Sequence, residues 1–427
     1  MKPLFPLRTA ASLVALTVLA APLAVALANP VASPFASPFA SPFASPFVWA
    51  PPAPFSSAGA ALRTGTTDSP LVLWKGKLTP LASLDDDVKP EHLEAVRVQI
   101  DRYAPWIQEN GYQIALTDDA RVLLITSSEK LAKDRLKLVG KTLETFDKII
   151  PAPDRSGSEE TFRDGAWGVR EHVPDAEPVV LIELDSGEHY QSLLGSLAKS
   201  EPRAQTWTSI HASQPGFDEV SVMAAAWQSA PAGFEVGDVW RSENELVNRL
   251  SRMLMYRSFG PQPVWLSQAS AWAVEQDVMD DIYCFPYRHE FVSVTEHTGW
   301  ESRLSNEFKK RQAKPLQIDE FADWDRGVWD LDHAACSWGF VQFLVKHKPG
   351  SLSALAEANR IAYKAGFTVE DGDGNWSTNP AFEVPQETQL SALLEIAGED
   401  VMDEASEYFR SWKRYKPAKK KSARRKR

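Results

Sequence analysis

Cysteine is nearly absent from this chain: two in 427 residues, Cys284 and Cys336. Two thiols that far apart do not make a zinc ribbon. They could pair, closing a loop of about fifty residues worth about 4 kcal/mol in the chain-entropy model, or remain as two buried thiols; spacing leaves both readings open. Histidine is sparse too. The eight (His92, His172, His189, His211, His289, His297, His333, His347) include no pair three or four apart, so no single helix carries a two-histidine metal motif. His289, Glu290, Glu296 and His297 form the nearest grouping and read as polar loop residues. No G-x-S-x-G, Walker A or dinucleotide fingerprint is present. The alternating Asp371, Asp373 and Asn375 have the acidity of a calcium loop without the spacing of an EF-hand, and read as a turn.

Long apolar runs are missing as well, with one exception at the start. Lys2 and Arg8 precede the apolar Ala10–Ala28, which closes on Ala26-Leu27-Ala28 before Asn29-Pro30. This is the pattern of a secretory signal peptide cut after residue 28, with an uncleaved anchor as the other reading. Residues 29–69 follow, with four tandem A-S-P-F units from Ala32 to Phe47. A proline in every fourth position suits an extended linker and neither a helix nor a central strand. The sequence therefore predicts a secreted, periplasmic or cell-envelope protein with no transmembrane span after cleavage.

Charge is lopsided. The chain carries a net −11, yet residues 413–427 ("KRYKPAKKKSARRKR") hold ten Lys or Arg and no acid. The remainder has 36 basic and 57 acidic residues, a net −21. Such a tail suits an anionic ligand or a solvated, self-associating role on its own acidic body.

Periodicity predicts an α+β fold, a mixed β-sheet with helices over 70–237 followed by a mainly helical part over 238–412. Tyr112–Leu116 and Arg121–Ser128 read as a hairpin or neighbouring strands around Thr117-Asp118-Asp119-Ala120. A helix capped by Ser127 or Ser128 follows, then a strand over Pro178–Ser186 and a further strand over Asp218–Trp227. A helix then runs from about Trp240 to Gly260, with Asp238 as its expected N-cap.

That last helix contains Asn244-Glu245-Leu246-Val247-Asn248, which has the frame of an H-E-x-x-H zinc helix with asparagine at both histidine positions. In such a helix two imidazoles one turn apart aim at one ion and the adjacent Glu reaches the metal-bound water. Downstream, "FGPQPVWLSQASA" places Gln268 twenty residues after Asn248. Together these segments resemble the gluzincin metallopeptidases, in particular the peptidase MA-like domains of secreted bacterial proteins. Those carry H-E-x-x-H and then F-G-x-x-P-x-W-L-S-E-G-x-A, with the second Glu as third zinc ligand. Phe259, Gly260, Pro263, Trp265, Leu266, Ser267 and Ala271 fit that pattern. "DEVSVMAAAW" resembles the edge strand of the cleft, and Ala334–Leu352 resembles the helix that backs the site.

The resemblance implies a zincin-like fold with the active-site-type helix between the two halves. It also implies that Asn244, Asn248 and Gln268 stand at the three zinc-ligand positions and Glu245 at the general-base position, while a helix tyrosine of the pattern falls at Ala334. Carboxamides are poor zinc ligands, and without the ion no water is activated for Glu245. The expectation is a pseudopeptidase without metal or cofactor. Its three amides would satisfy one another along a groove that binds a peptide or an exported protein. Two alternatives stand beside it: an active peptidase with non-standard ligands and Glu245 as base, and a structural envelope protein with a vestigial cleft.

Overall fold

The structure is a computed structural model. It describes residues 70–84, 87–152, 177–200, 216–218, 222–225, 241–284, 299–311, 314–323, 331–370, 376–379 and 382–412. The expected signal peptide, the A-S-P-F segment, the basic tail, Asp238, Trp240 and the His289–His297 grouping lie outside the described residues, as do Asp371, Asp373 and Asn375.

The first part of the chain builds one mixed seven-stranded sheet. Its strands are β1 (Leu71–Trp74), β2 (Lys77–Pro80), β3 (Gln113–Leu116), β4 (Val122–Thr126), β5 (Val179–Glu183), β6 (Gly216–Asp218) and β7 (Val222–Ala225), in the order β2-β1-β3-β4-β5-β7-β6. Three pairings are parallel (β1–β3, β4–β5, β5–β7) and three antiparallel. The expected hairpin forms between β3 and β4, with Ala120 in the left-handed region at φ 59°. The single strand expected over 218–227 is instead a β6–β7 hairpin at the sheet edge.

Both faces of the central strands are covered, because alternate residues point to opposite sides. Leu123, Ile125, Val180 and Ile182 pack against α1 (Pro90–Asn110) and α3 (Gly187–Ser200). Val122, Leu124, Val179 and Leu181 pack on the other face, in the core formed with α2 (Glu129–Ile149) and the later helices. Ser128 caps α2, its hydroxyl accepting from the Leu131 amide, as the sequence predicts. This gives an α+β architecture of three layers.

The later part is helical: α4 (Ser242–Phe259), α5 (Val264–Met279), α6 (Trp300–Lys310), α7 (Asp319–Ala322), α8 (Leu331–His347), α9 (Ser351–Phe367), α10 (Gln386–Ala397) and α11 (Val401–Ser411), with a small β8–β9 pair (Thr368–Glu370, Trp376–Thr378) after α9. α5 is buried on nearly every side from Trp265 to Glu275, with Ser267 alone half-buried, and meets solvent at Asp277. α8 crosses close beneath α6 and α11. A Cβ at Gly339 would stand 2.5 Å from Leu304 Cδ1 and 2.9 Å from Phe409 Cε1, so any other residue there must push those side chains aside. Cys284 and Cys336 are buried thiols. Among the described residues, no helix is long and apolar enough to cross a membrane.

Candidate binding site

α4 and α5 form an antiparallel helical hairpin closed by a four-residue turn, 260–263. Gly260, at φ 67°, ends α4 with its amide donating to the Tyr256 carbonyl, and Pro263 starts α5. The N-cap of α4 is Arg241, with no side-chain cap bond, in place of the expected Asp238.

Asn244 and Asn248 are one turn apart and leave the same face of α4. They do not look along an open groove: each is only 3 % exposed. Asn244 Nδ2 donates to Glu275 Oε1 at 2.8 Å, and Asn248 Nδ2 donates to Glu275 Oε2 at 3.0 Å. Two backbone amides complete the shell, Tyr283 N at 2.7 Å and Cys284 N at 3.2 Å, both donating to Oε1. Glu275 itself has no exposure. Burial pushes its carboxyl up to about 7, against the hydrogen bonds from Asn244, Tyr283 and Asn248 that favour the anion, with the charge of Glu245 adding to the rise.

Gln268 is buried on α5 but does not join the two asparagines. It sits seven residues before Glu275 on nearly the same helical face, about 10 Å along the axis at 1.5 Å per residue. The expected cluster of three amides is thus replaced by two amides on a carboxylate. Glu275, which the motif frame did not single out, is the residue that gathers them. A signal for it exists. Two helices joined by a short turn pair residues equidistant from that turn, and reflecting Asn248 about 260–263 lands on 275.

Glu245 forms an ion pair with Arg249, Oε2 to Nε at 2.9 Å, with both side chains mostly buried. Ala334, at the tyrosine position of the pattern, is buried in α8.

Comparison of the chain with protein-family models, with curated proteins and with solved structures finds no match. The reading of the site rests on its own geometry.

Two neighbouring features position the hairpin. Arg135 on α2 holds Glu183, at the end of β5, through Nε (2.7 Å) and Nη2 (2.9 Å). The same guanidinium reaches Glu243 Oε1 and Ser242 Oγ at the start of α4, each at 3.1 Å, tying sheet to helix. After α5, Asp280 turns the chain back at φ 59°, and Ile282, Tyr283 and Cys284 lie buried against α5. Asp281 pairs with Arg241, whose guanidinium also lies 5.2 Å from the Tyr283 ring centroid. Trp272 Nε1 donates to the Cys284 carbonyl.

A carboxylate offers about four acceptor sites, and Glu275 receives four donors. Three of the four fall on Oε1 and one on Oε2, so Oε2 keeps an acceptor site. Among the described residues, no three His, Cys, Asp or Glu side chains gather as a metal site.

Proposed function

We propose that this protein is an exported, non-catalytic gluzincin-like protein with a zincin-like fold, whose former metal site serves to bind extended peptide segments of other proteins. The observation that carries the reading is the convergence of both asparagine amides on the Glu275 carboxylate. At the two positions where histidines would hold zinc, the asparagines instead meet a carboxylate of the next helix, Glu275, and not the residue at the third ligand position, Gln268. The order of elements supports the fold reading: a mixed sheet with an edge hairpin, then α4, a short turn, α5 and the backing helix α8. Glu245 is engaged by Arg249, and the asparagine amides beside it are poor zinc ligands, which weighs against the active-peptidase alternative. The basic tail, 413–427, supplies a second contact, to an anionic surface.

Metal content tests the reading. Purified protein should carry no stoichiometric zinc, chelator should leave its Tm unchanged, and a denatured protein substrate should not be cleaved. Stoichiometric zinc, or a chelator-induced fall of several degrees, overturns it.

A further inference from the structure

A line of four indole rings runs through the helical part of the molecule and ends at its surface. Trp272 on α5 meets Trp300 on α6 with ring centroids 5.1 Å apart, and Trp300 meets Trp338 on α8 at 5.6 Å, both edge to face. Trp338 then stacks on Trp412, at the C-terminal end of α11, at 5.4 Å and 18°. The first three are buried, and Trp412 is partly exposed. We propose that these four rings form a hole-transfer chain, which carries an oxidising equivalent from the interior to Trp412 at the surface. This role is independent of the peptide-binding reading above.

Indole can give up one electron while keeping its proton, and rings in contact exchange that electron readily. A positive charge is costly in an apolar interior, so a hole on Trp272 moves outward to the ring that water reaches. The N–H groups of Trp272 and Trp338 donate to the Cys284 carbonyl and to Gln276 Oε1. A carbonyl oxygen is no base, so these indoles keep their protons and can pass the hole on. The step balances as follows. A one-electron oxidant takes an electron from Trp272, and each ring in turn is refilled by its neighbour. Trp412 loses its proton to water, and a soluble enediol or thiol returns a hydrogen atom to it.

Tyr408 also touches Trp412, at 4.6 Å. Burial, with the charge of Glu301 adding, raises its pKa and holds the phenol protonated. A tyrosine yields its electron together with its proton, so the hole stays on Trp412. That ring is placed at a cost: its backbone stands at φ 32°, which L-residues avoid. Such strain persists where the surroundings over-determine it, here the seat formed by Trp338, Tyr408 and Phe409.

Light at the red edge of indole absorption, in aerated buffer, drives electrons from the tryptophans to dioxygen. Peptide mass spectrometry then measures kynurenine-type products at each residue of the full chain. In the wild type they should gather on Trp412, with Trp272 and Trp300 spared. Trp338→Phe keeps an aromatic ring but breaks the chain. Product at Trp412 should fall severalfold, and product at Trp272 and Trp300 should rise severalfold. Ascorbate should protect all four rings in the wild type and Trp412 alone in the variant. Trp265, buried against Phe321 and Phe340 and outside the line, is the internal control and should not change. Trp412→Phe, a change at the surface, serves if Trp338→Phe fails to fold; product should then appear on Trp272, Trp300 and Trp338. Wild-type yields at the buried tryptophans in a folded variant overturn the chain.

Discussion

Asn248 and Glu275, 27 residues apart in the chain, meet at 3.0 Å in the interior, and Asn244 meets the other oxygen of the same carboxylate at 2.8 Å across 31 residues. A side-chain bridge therefore fastens α4 to α5 where the sequence frame suggests an ion. The two asparagines carry this bridge because an amide nitrogen can donate to a carboxylate that has no other counter-charge in the shell.

Removing the acceptor should be costly. Glu275→Ala leaves four buried donors unpaired, and at 1–3 kcal/mol per lost partner the loss should reach about 3 kcal/mol or more. Asn248→Ala leaves the carboxylate one donor short and should cost about 1–2 kcal/mol. Urea unfolding followed by circular dichroism reads both as shifts in the midpoint. A Glu275→Ala midpoint equal to wild type would remove the bridge as a stabilising feature.

The same carboxyl sets a pH dependence. Its value in the fold, about 7, lies above the ordinary 4.5, so the folded protein binds this proton more tightly than the unfolded chain does. The stability this group contributes is present in full below about 4.5 and is lost as pH rises through about 7. The change is on the order of 3 kcal/mol, at 1.36 kcal/mol for each unit. Calorimetry from pH 5 to 8 should show a falling Tm in the wild type and a flatter profile in Glu275→Gln. A wild-type Tm that rises over that range contradicts the assignment.

Zinc binding can be used to read the helix register. Asn244→His/Asn248→His should acquire zinc with Glu275 as the third ligand, completing a two-histidine, one-carboxylate set. Adding Glu275→Gln should remove the metal, and adding Gln268→Glu should change nothing. Metal analysis after dialysis decides; if zinc appears only when Gln268→Glu is included, the third position is 268 and the α4–α5 register is wrong.

How much of this was legible in the sequence depends on the range of the interaction. The β3–β4 hairpin, the Ser128 cap and the Gly260 stop are set by neighbours within a few residues, and the sequence predicts all three. The α+β class follows from periodicities of two and 3.6 that survive without knowing any long-range contact. The partner of Asn244 was not legible from the motif, because a motif fixes spacing along one helix and says nothing of how far along a second helix the facing residue lies. Gln268 fits the motif's spacing, whereas Glu275 fits the hairpin's packing. Arg135 was equally hidden: its carboxylates, Glu183 and Glu243, are 48 and 108 residues away.

Arg135 gives a further prediction. Glu183 is fully buried, so Arg135→Met strands a charge in the interior and should cost about 3–5 kcal/mol. Arg135→Lys should recover little of this, since an ammonium cannot reproduce the two-pronged contact with Glu183. Thermal melts distinguish the two outcomes, and a lysine variant as stable as wild type would show that charge alone suffices.

The tail can be tested apart from the fold. Deleting residues 413–427 should abolish salt-sensitive binding to an anionic matrix such as heparin, with an unchanged Tm. Retention at the same salt concentration would assign that binding to the body.

The sheet also bears on the order in which the molecule can be completed. Among the described residues, the face of β4 and β5 that carries α2, and α2 itself, also pack against helices that follow residue 241. A ribosome delivers the strands first, so a nascent chain ending near residue 237 would hold a finished α1–α3 face and, opposite, apolar surface beside α2 that still waits for the later helices. Such a fragment should precipitate or recruit a holdase, and no cut between the two halves should yield a soluble first half. Arg135, waiting for Ser242 and Glu243, marks where synthesis must pass before that surface can close.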